Sequence, residues 1–483
     1  MHELRGIPAP TNRACAARPR LLLDVSALMR WVGPPVGIVR VEAELARYAM
    51  EHRPDVEFVA YDGRAAAYRL VKRHLVPCMI AGELFVDQTG VPDPRSVARY
   101  RLGALLSQSD RRLLLVRRPR RAAILALEAL RTKVAPRWRA QVESVQSLLF
   151  NDRYRRMYFD ADGRRREVVA FADVLEERPP TLNDATILCS GFEWNIKNPD
   201  HLRDLKERER FRLVMVCYDL IPILYPQYFL PRDGEVFSGY FRKAVAFVDK
   251  FICISDCTAH DLARFVAEQG VPAPEISVEH PGYDLHEVRD APLPHSLQPR
   301  RYALYVSTIE PRKNHQLVYG VWQRLLDHGI PQKHGFELVF VGRPGWTTDP
   351  LLQQLKDDTQ RGGRHLQYFP DVSDRILGRL YRDAAFCLYP SRYEGYGLPI
   401  AEAFGHGRAV IASNAGSIPE VVQDMSPSLD PMDEDAWYRT LRQWIEEPAV
   451  VAAYEAKIAK GFVPRPWAQV AERYLAEAER AGA

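Results

Sequence analysis

No run of about 18 uncharged apolar residues occurs anywhere in the 483 residues, so no membrane-crossing helix is expected. Cysteine is sparse: the seven residues are odd in number and scattered, with no CxxC pair. That usage argues against a disulfide framework and for reduced thiols in a cytoplasmic setting. No histidine-rich cluster is present, which leaves zinc without an obvious ligand set. The opening segment, Met1 to Arg20, has no apolar stretch of the secretory kind and reads as a frayed tail, 1–19. Net charge is only +4, so overall charge gives no reason to expect nucleic acid as a partner. What is present is globular in character, with 47% hydrophobic and 27% charged residues. The chain is too long for one ordinary core, and two or three domains are expected.

Charge is uneven locally. Between 110 and 139, Arg111, Arg112, Arg117, Arg118, Arg120, Arg121, Arg131, Lys133, Arg137 and Arg139 face only Asp110 and Glu128. Leucine and alanine interleave, and Trp138 sits among arginines. One reading is an amphipathic segment for an anionic membrane surface, where each basic residue contributes about 1 kcal/mol. The other is a charged helix packed on its own domain by a leucine face. The surrounding stretch, about 100–156, is a basic helical insertion into an otherwise regular pattern.

That pattern is one of short apolar runs followed by helical segments, the mark of doubly wound α/β domains. Runs at Arg20–Ser26, Val56–Tyr61, Ala185–Gly191, Phe211–Cys217, Phe247–Ser255 and from Ile276 predict the strands of a first domain, 20–288. A proline-containing linker is predicted at 289–300. Runs at Tyr302–Thr308, Phe336–Gly342, Leu366–Phe369, Ala384–Tyr389 and Ala409–Ser413 predict a second domain, 301–465, with a closing helix at 466–483.

The densest chemistry lies in Ser391–Glu402, where a predicted buried strand ends in a glycine loop and opens a helix from Pro399 to Gly405. Free amides and the positive end of a helix dipole make such a junction an anion site. Glu394 is placed in the loop and Glu402 in the first helical turn. Taken singly, Glu402 complements the dipole and Glu394 is a solvated loop residue. Together they suit a phosphate flanked by two hydroxyl-rich sugars, because carboxylates accept charge-assisted hydrogen bonds and Gly395 and Gly397 let the backbone come close.

The run Glu394-Gly395-Tyr396-Gly397-Leu398-Pro399-Ile400-Ala401-Glu402 resembles the signature of the retaining family 4 glycosyltransferases. The resemblance is close from about Leu213 to Val422. It implies a GT-B fold, in which two Rossmann-like domains face each other across a cleft and the last helix crosses back to the first domain. Glu310-Pro311-Arg312-Lys313-Asn314 matches the element that covers the donor diphosphate, which gives Arg312 and Lys313 that role. Glu394 then holds donor-sugar hydroxyls and Glu402 the ribose, with Gly395, Tyr396, Gly397 and Leu398 around them. Gly342 and Arg343, and Val372 and Ser373, stand at loops that approach the nucleotide in this family; Trp346 is a nucleotide-loop residue or a buried anchor. In the first domain Gly37 and Arg40 fall at the acceptor loop. Tyr218 stands where the family often has a donor-binding histidine, and Asp219 orients the acceptor hydroxyl or caps the following turn. The Ser255 run and Gly416–Glu420 match further family elements, each read as a capped helix start. Asp160/Asp162 and Asp433/Asp435 read as solvated turns, and no metal or other cofactor is implied.

The implied reaction is retaining transfer of a hexose, mannose from GDP-mannose as the first expectation, to a lipid-linked saccharide. The Tyr218–Pro222 and Glu310–Asn314 elements resemble bacterial mannosyl- and rhamnosyl-transferases of O-antigen and exopolysaccharide synthesis. The implied setting is the inner face of the cytoplasmic membrane, touched through 111–139. The rivals are a catalytically inactive scaffold in a polysaccharide-assembly complex, which should have lost Glu394, Glu402 or Lys313, and a sugar-nucleotide epimerase of the same fold.

Overall fold

The computed structural model describes residues 20–31, 35, 37–87, 167–283, 293–294, 297–346, 348–361 and 365–481. The basic stretch at 111–139, the Asp160/Asp162 pair and half of the expected linker lie outside them. The described strands are β1 (Leu21–Asp24), β2 (Glu57–Asp62), β3 (Ala67–Leu70), β4 (Leu84–Asp87), β5 (Glu167–Ala170), β6 (Thr186–Cys189), β7 (Arg212–Cys217), β8 (Lys250–Cys253) and β9 (Glu275–Val278). They continue with β10 (Tyr302–Val306), β11 (Glu337–Val341), β12 (Leu366–Phe369), β13 (Phe386–Tyr389), β14 (Val410–Ser413) and β15 (Ser428–Leu429).

The first sheet runs β3-β2-β1-β6-β7-β8-β9, parallel except where β3 folds back on β2. The second runs β12-β11-β10-β13-β14-β15 and is parallel throughout. Four-residue runs such as Leu21–Asp24 and Phe386–Tyr389 are buried at every position, as strands covered by helices on both faces must be. The expected α/β architecture of two doubly wound domains is the one found.

Strand order decides where ligands can sit. In each sheet the order reverses beside the first strand, between β1 and β6 and between β10 and β13. The loops leaving neighbouring strands there diverge and open a crevice at the carboxyl edge. Glu310–Asn314 leaves β10 and Ser391–Gly397 leaves β13, so both phosphate-type elements flank the second reversal.

Several expectations shift on the structure. The Phe247–Ser255 run is strand only at β8, because Phe247 and Val248 donate back to Ala244 and finish the preceding helix. Asp433 is no loose turn: its carboxylate accepts Ala436 N–H at 2.9 Å and caps the Glu434–Glu446 helix, and Asp435 pairs with Arg324. The helix after the glycine loop is Leu398–Gly405, so Pro399 is its second residue and Glu402 lies just past the first turn. Ser255 does cap Asp256–Gln269, accepting Thr258 N–H at 3.0 Å. Ser417 makes no such cap at Ile418–Val422.

The Trp467–Arg480 helix packs on the Ile38–His52 helix of the first domain, with Trp467, Val470, Tyr474 and Leu475 buried. Lys250 of β8 is buried beneath it, 2.7 Å from Glu477 and 2.7 Å from the exposed Glu275.

Candidate active site

A tight turn, Pro311–Lys313, carries two cations out of β10 and ends at Asn314 in the left-handed conformation. Asn314 Nδ2 is tied to the carbonyls of Pro390 and Pro431. The turn thereby points Arg312 and Lys313 at the β13 loop, and the Glu394 carboxylate receives both. Lys313 Nζ stands 2.6 Å from its Oε1 and Arg312 donates to its Oε2 at 2.7 Å. Arg312 also donates to Tyr393 O and to Glu310, each at 2.7 Å. All four side chains are largely withdrawn from water, with Glu394 6% exposed.

Burial alone would raise the Glu394 carboxyl, but Arg312 and Lys313 hold it down at about 2. Burial and the neighbouring guanidinium pull Lys313 below the ordinary lysine range. The cluster therefore holds two cations against Glu310 and Glu394 in a water-poor pocket, where each charge interacts far more strongly than in solvent. The arrangement offers an anionic group two cations already gathered, which it would share with Glu394.

The glycine loop is pressed against the other domain. A Cβ on Gly395 would lie 2.3 Å from Tyr218 O and 3.0 Å from the Asp219 Cβ, so only hydrogen fits there. Gly397, at φ +113°, immediately precedes the Leu398–Gly405 helix, a conformation L side chains rarely adopt. Asp219 is thus brought beside the loop that carries Glu394. Its Oδ1 accepts Ile221 N–H at 3.1 Å, so it caps its turn. Burial pushes its carboxyl up, with Arg312 opposing.

The other sequence-predicted residues fall in three places. Glu402 is half-buried and accepts from Tyr381 OH at 3.1 Å, a ring stacked in turn on His406. Tyr396 contributes only backbone to the loop, because its hydroxyl accepts from Arg465 at 2.9 Å and its ring lies beside His280. Leu398 is half-buried at the helix start. At the β11 edge a Cβ on Gly342 would lie 1.9 Å from Ser307 O, so β10 and β11 loops touch there. Arg343 is exposed and 3.5 Å from Asp371. Val372 is half-buried, and Ser373 caps the Asp374–Asp383 helix. Trp346 is an anchor between domains, donating to Tyr228 O at 2.7 Å and stacking on Phe229.

On the first domain, Gly37 is exposed at φ +53° just before the Ile38–His52 helix, with Arg40 half-buried in its first turn. Tyr218 turns its hydroxyl to Ser190 O at 2.5 Å, and so holds the loop after β6. Sequence reasoning missed what lies under that loop. Lys197 is fully buried between Asp24 and Glu193, 3.2 Å from Cys189 Sγ, at the reversal of the first sheet. Asp24, Cys189 and Glu193 are spaced as metal ligands, but the Lys197 ammonium supplies the cation. A second such group, Asp256, His280 and Glu420, has its Glu420 oxygens engaged by helix amides. Among the described residues no helix is long and apolar enough to cross a membrane.

Residues 294–460 match the family described as glycosyl transferases group 1. A 136-residue stretch is 42% identical to O-antigen chain mannosyltransferase B of Escherichia coli, covering 28% of this chain and 34% of that protein. A 236-residue stretch is 26% identical to the serotype-specific mannosyltransferase WbdA of the same species, covering 46% of this chain and 27% of that one. The chain thus spans about a third of the curated relatives' length. Among solved structures, Anabaena HepE in complex with UDP and glucose superposes over 95% of this chain and 98% of its own, with a TM-score of 0.53 and 14% identity, a likeness of fold. Residues 294–460 thus form a glycosyl transferases group 1 domain, and the chain's two Rossmann-like units share the GT-B fold.

Proposed function

We propose that this protein is a retaining hexosyltransferase that moves mannose from GDP-mannose to a hydroxyl of a lipid-linked saccharide in surface-polysaccharide synthesis. The observation that carries the reading is the Arg312–Lys313–Glu394 cluster, set at the sheet reversal against Asp219 of the facing domain. Mannose as the sugar rests on the names of the relatives.

Lys313 and Arg312 bind the diphosphate and stabilise the charge it gains as it leaves, together with the amides that follow Glu394. Glu394, kept ionised, accepts from hydroxyls of the donor sugar, and Glu402 from those of the ribose. The bond from the anomeric carbon to the phosphate oxygen breaks, and the acceptor oxygen bonds to the same face of that carbon. The acceptor proton passes to the departing phosphate oxygen. Asp219 orients the acceptor hydroxyl, and the closed domains keep water from taking its place. The reaction needs no metal, and 111–139 brings the chain to an anionic inner membrane face.

The test is slow donor hydrolysis with GDP-mannose, UDP-glucose, UDP-GlcNAc and dTDP-rhamnose, with and without EDTA. Turnover of one donor, unchanged by EDTA and lost in Glu394→Ala and Lys313→Ala, is the expected result. Equal indifference of parent and variants to every donor would leave the scaffold as the reading.

A further inference from the structure

The opening two turns of the Asp256–Gln269 helix belong to the first domain, yet three groups of the second domain close on them. The Glu420 carboxylate accepts Asp256 N–H at 2.9 Å and Cys257 N–H at 2.7 Å, so the helix is capped across the domain boundary. Tyr393 OH donates to Asp261 at 2.6 Å and touches Cys257 Sγ at 3.3 Å. Thr258 Oγ1 lies 3.4 Å from Gly395 O and 3.3 Å from Tyr218 O, between the loops carrying Glu394 and Asp219.

The second-domain side of this contact is continuous with the glycine loop. Ser417 Oγ, three residues before Glu420, donates to Glu394 O at 2.9 Å and lies 3.0 Å from Tyr396 O. Tyr393 is the immediate neighbour of Glu394, and its carbonyl accepts from Arg312. One carboxylate thus grips the opposite domain while its own segment holds the backbone of the acidic loop. An ionised carboxylate at a helix N-terminus satisfies orphan amides and meets the positive end of the dipole. The bond forms only when the domains are together, because its donors and its acceptor lie on different domains.

We propose that Glu420 is a positioning residue: its cross-domain cap on the Asp256–Gln269 helix sets closure and holds the Glu394 loop against Asp219. The inference rests on the transfer reading for its catalytic consequence, and on geometry alone for the clasp. Tyr393 is the second tie of the same clasp. A closed clasp favours transfer by fixing the reacting groups and excluding water.

The experiment uses the full chain as parent, Glu420→Ala, Glu420→Gln and Tyr393→Phe. Amide hydrogen exchange is read over a peptide containing 256–258, and kcat and KM with the donor turned over by the parent. In Glu420→Ala, exchange there should rise about tenfold or more, as for an opened local unit. Its kcat should fall about tenfold or more, beyond any change in KM, since only the closed form reacts. Glu420→Gln, which keeps one acceptor, should recover part of both, and Tyr393→Phe should move both in the direction of the alanine variant. Unchanged exchange in Glu420→Ala and Tyr393→Phe would overturn the clasp. Faster exchange with unchanged kcat would overturn the positioning role. A parent that turns over no donor sinks the transferase reading, and exchange still decides the clasp.

Discussion

A buried ring beside the cations ties the stability of the second domain to pH. His315 is 2% exposed, stacked on Tyr305 at 4.4 Å, and neither ring nitrogen has a hydrogen-bond partner among the described residues. Burial, with Lys313 nearby, lowers its pKa from 6.5 to about 3. Below pH 6.5 the unfolded chain takes up a proton that the native ring refuses, so stability falls as pH drops from about 6.5 towards 3, by roughly 4 kcal/mol in all. Glu394, depressed to about 2, adds its own loss only below about pH 4.5. His315→Phe keeps the stack and removes the titration. Between pH 7.5 and pH 4.5 it should lose roughly 2–3 kcal/mol less than the parent in urea unfolding. Equal losses would show that the ring takes up its proton in the native state. Glu394, Arg312 and Lys313 are legible in the sequence because each stands in a short local pattern, and the fold brings their loops together. His315 and Lys197 carry no such pattern, and Glu420, though it stands in one, finds its partners Asp256 and Cys257 far back along the chain.

Between strands and helices, the loops are governed by how closely backbones approach. Gly342 and Gly395 both forbid a Cβ, but against different partners. Gly342 faces Ser307 O within its own domain, at φ +152°, whereas Gly395 faces Tyr218 O of the other domain. Gly342→Ala should therefore destabilise the second domain itself, by roughly 2 kcal/mol or more, read as a fall in melting temperature of several degrees. Gly395→Ala should act as a wedge between domains, leaving the melting temperature close to the parent's and lowering donor turnover about tenfold or more. A melting temperature that falls equally in both variants would show that the interface is part of the same cooperative unit. Strand runs such as Phe386–Tyr389 could be read directly, because continuous apolar residues bounded by turns have few other uses in a parallel sheet. The β4–β5 pair could not, because its register links residues separated by the whole of 88–166. The extent of Leu398–Gly405 was misread by one residue for a plainer reason: Pro399 is equally acceptable in the first or second helical position, where its missing N–H costs nothing.

At the level of the whole molecule, the two-domain order was legible because strand–helix alternation repeats twice, while the tie between the chain's ends was visible only as a closing amphipathic helix. That helix is held by more than its apolar face. Lys250 projects from β8 into the seam, where Glu477 is itself largely buried and Glu275 is open to solvent. The two carboxylates lie at equal distance from the ammonium, yet they differ in what their removal leaves behind. Without Glu477, a buried lysine keeps only a solvent-screened partner, a change that should cost roughly 2–4 kcal/mol. Removing Glu275 should cost under about 1 kcal/mol, because an exposed pair is weakened by water and salt. Lys250→Met should lie between them, since Glu477 retains Arg480 and the methionine fills the apolar part of the site. Urea unfolding of Glu477→Ala, Lys250→Met and Glu275→Ala, at low and high salt, measures the order. Glu477→Ala should be the most destabilised and the least salt-sensitive of the three. An order with Glu275→Ala first would mean that the ammonium reaches solvent and that the apolar face alone fastens the helix to the first domain.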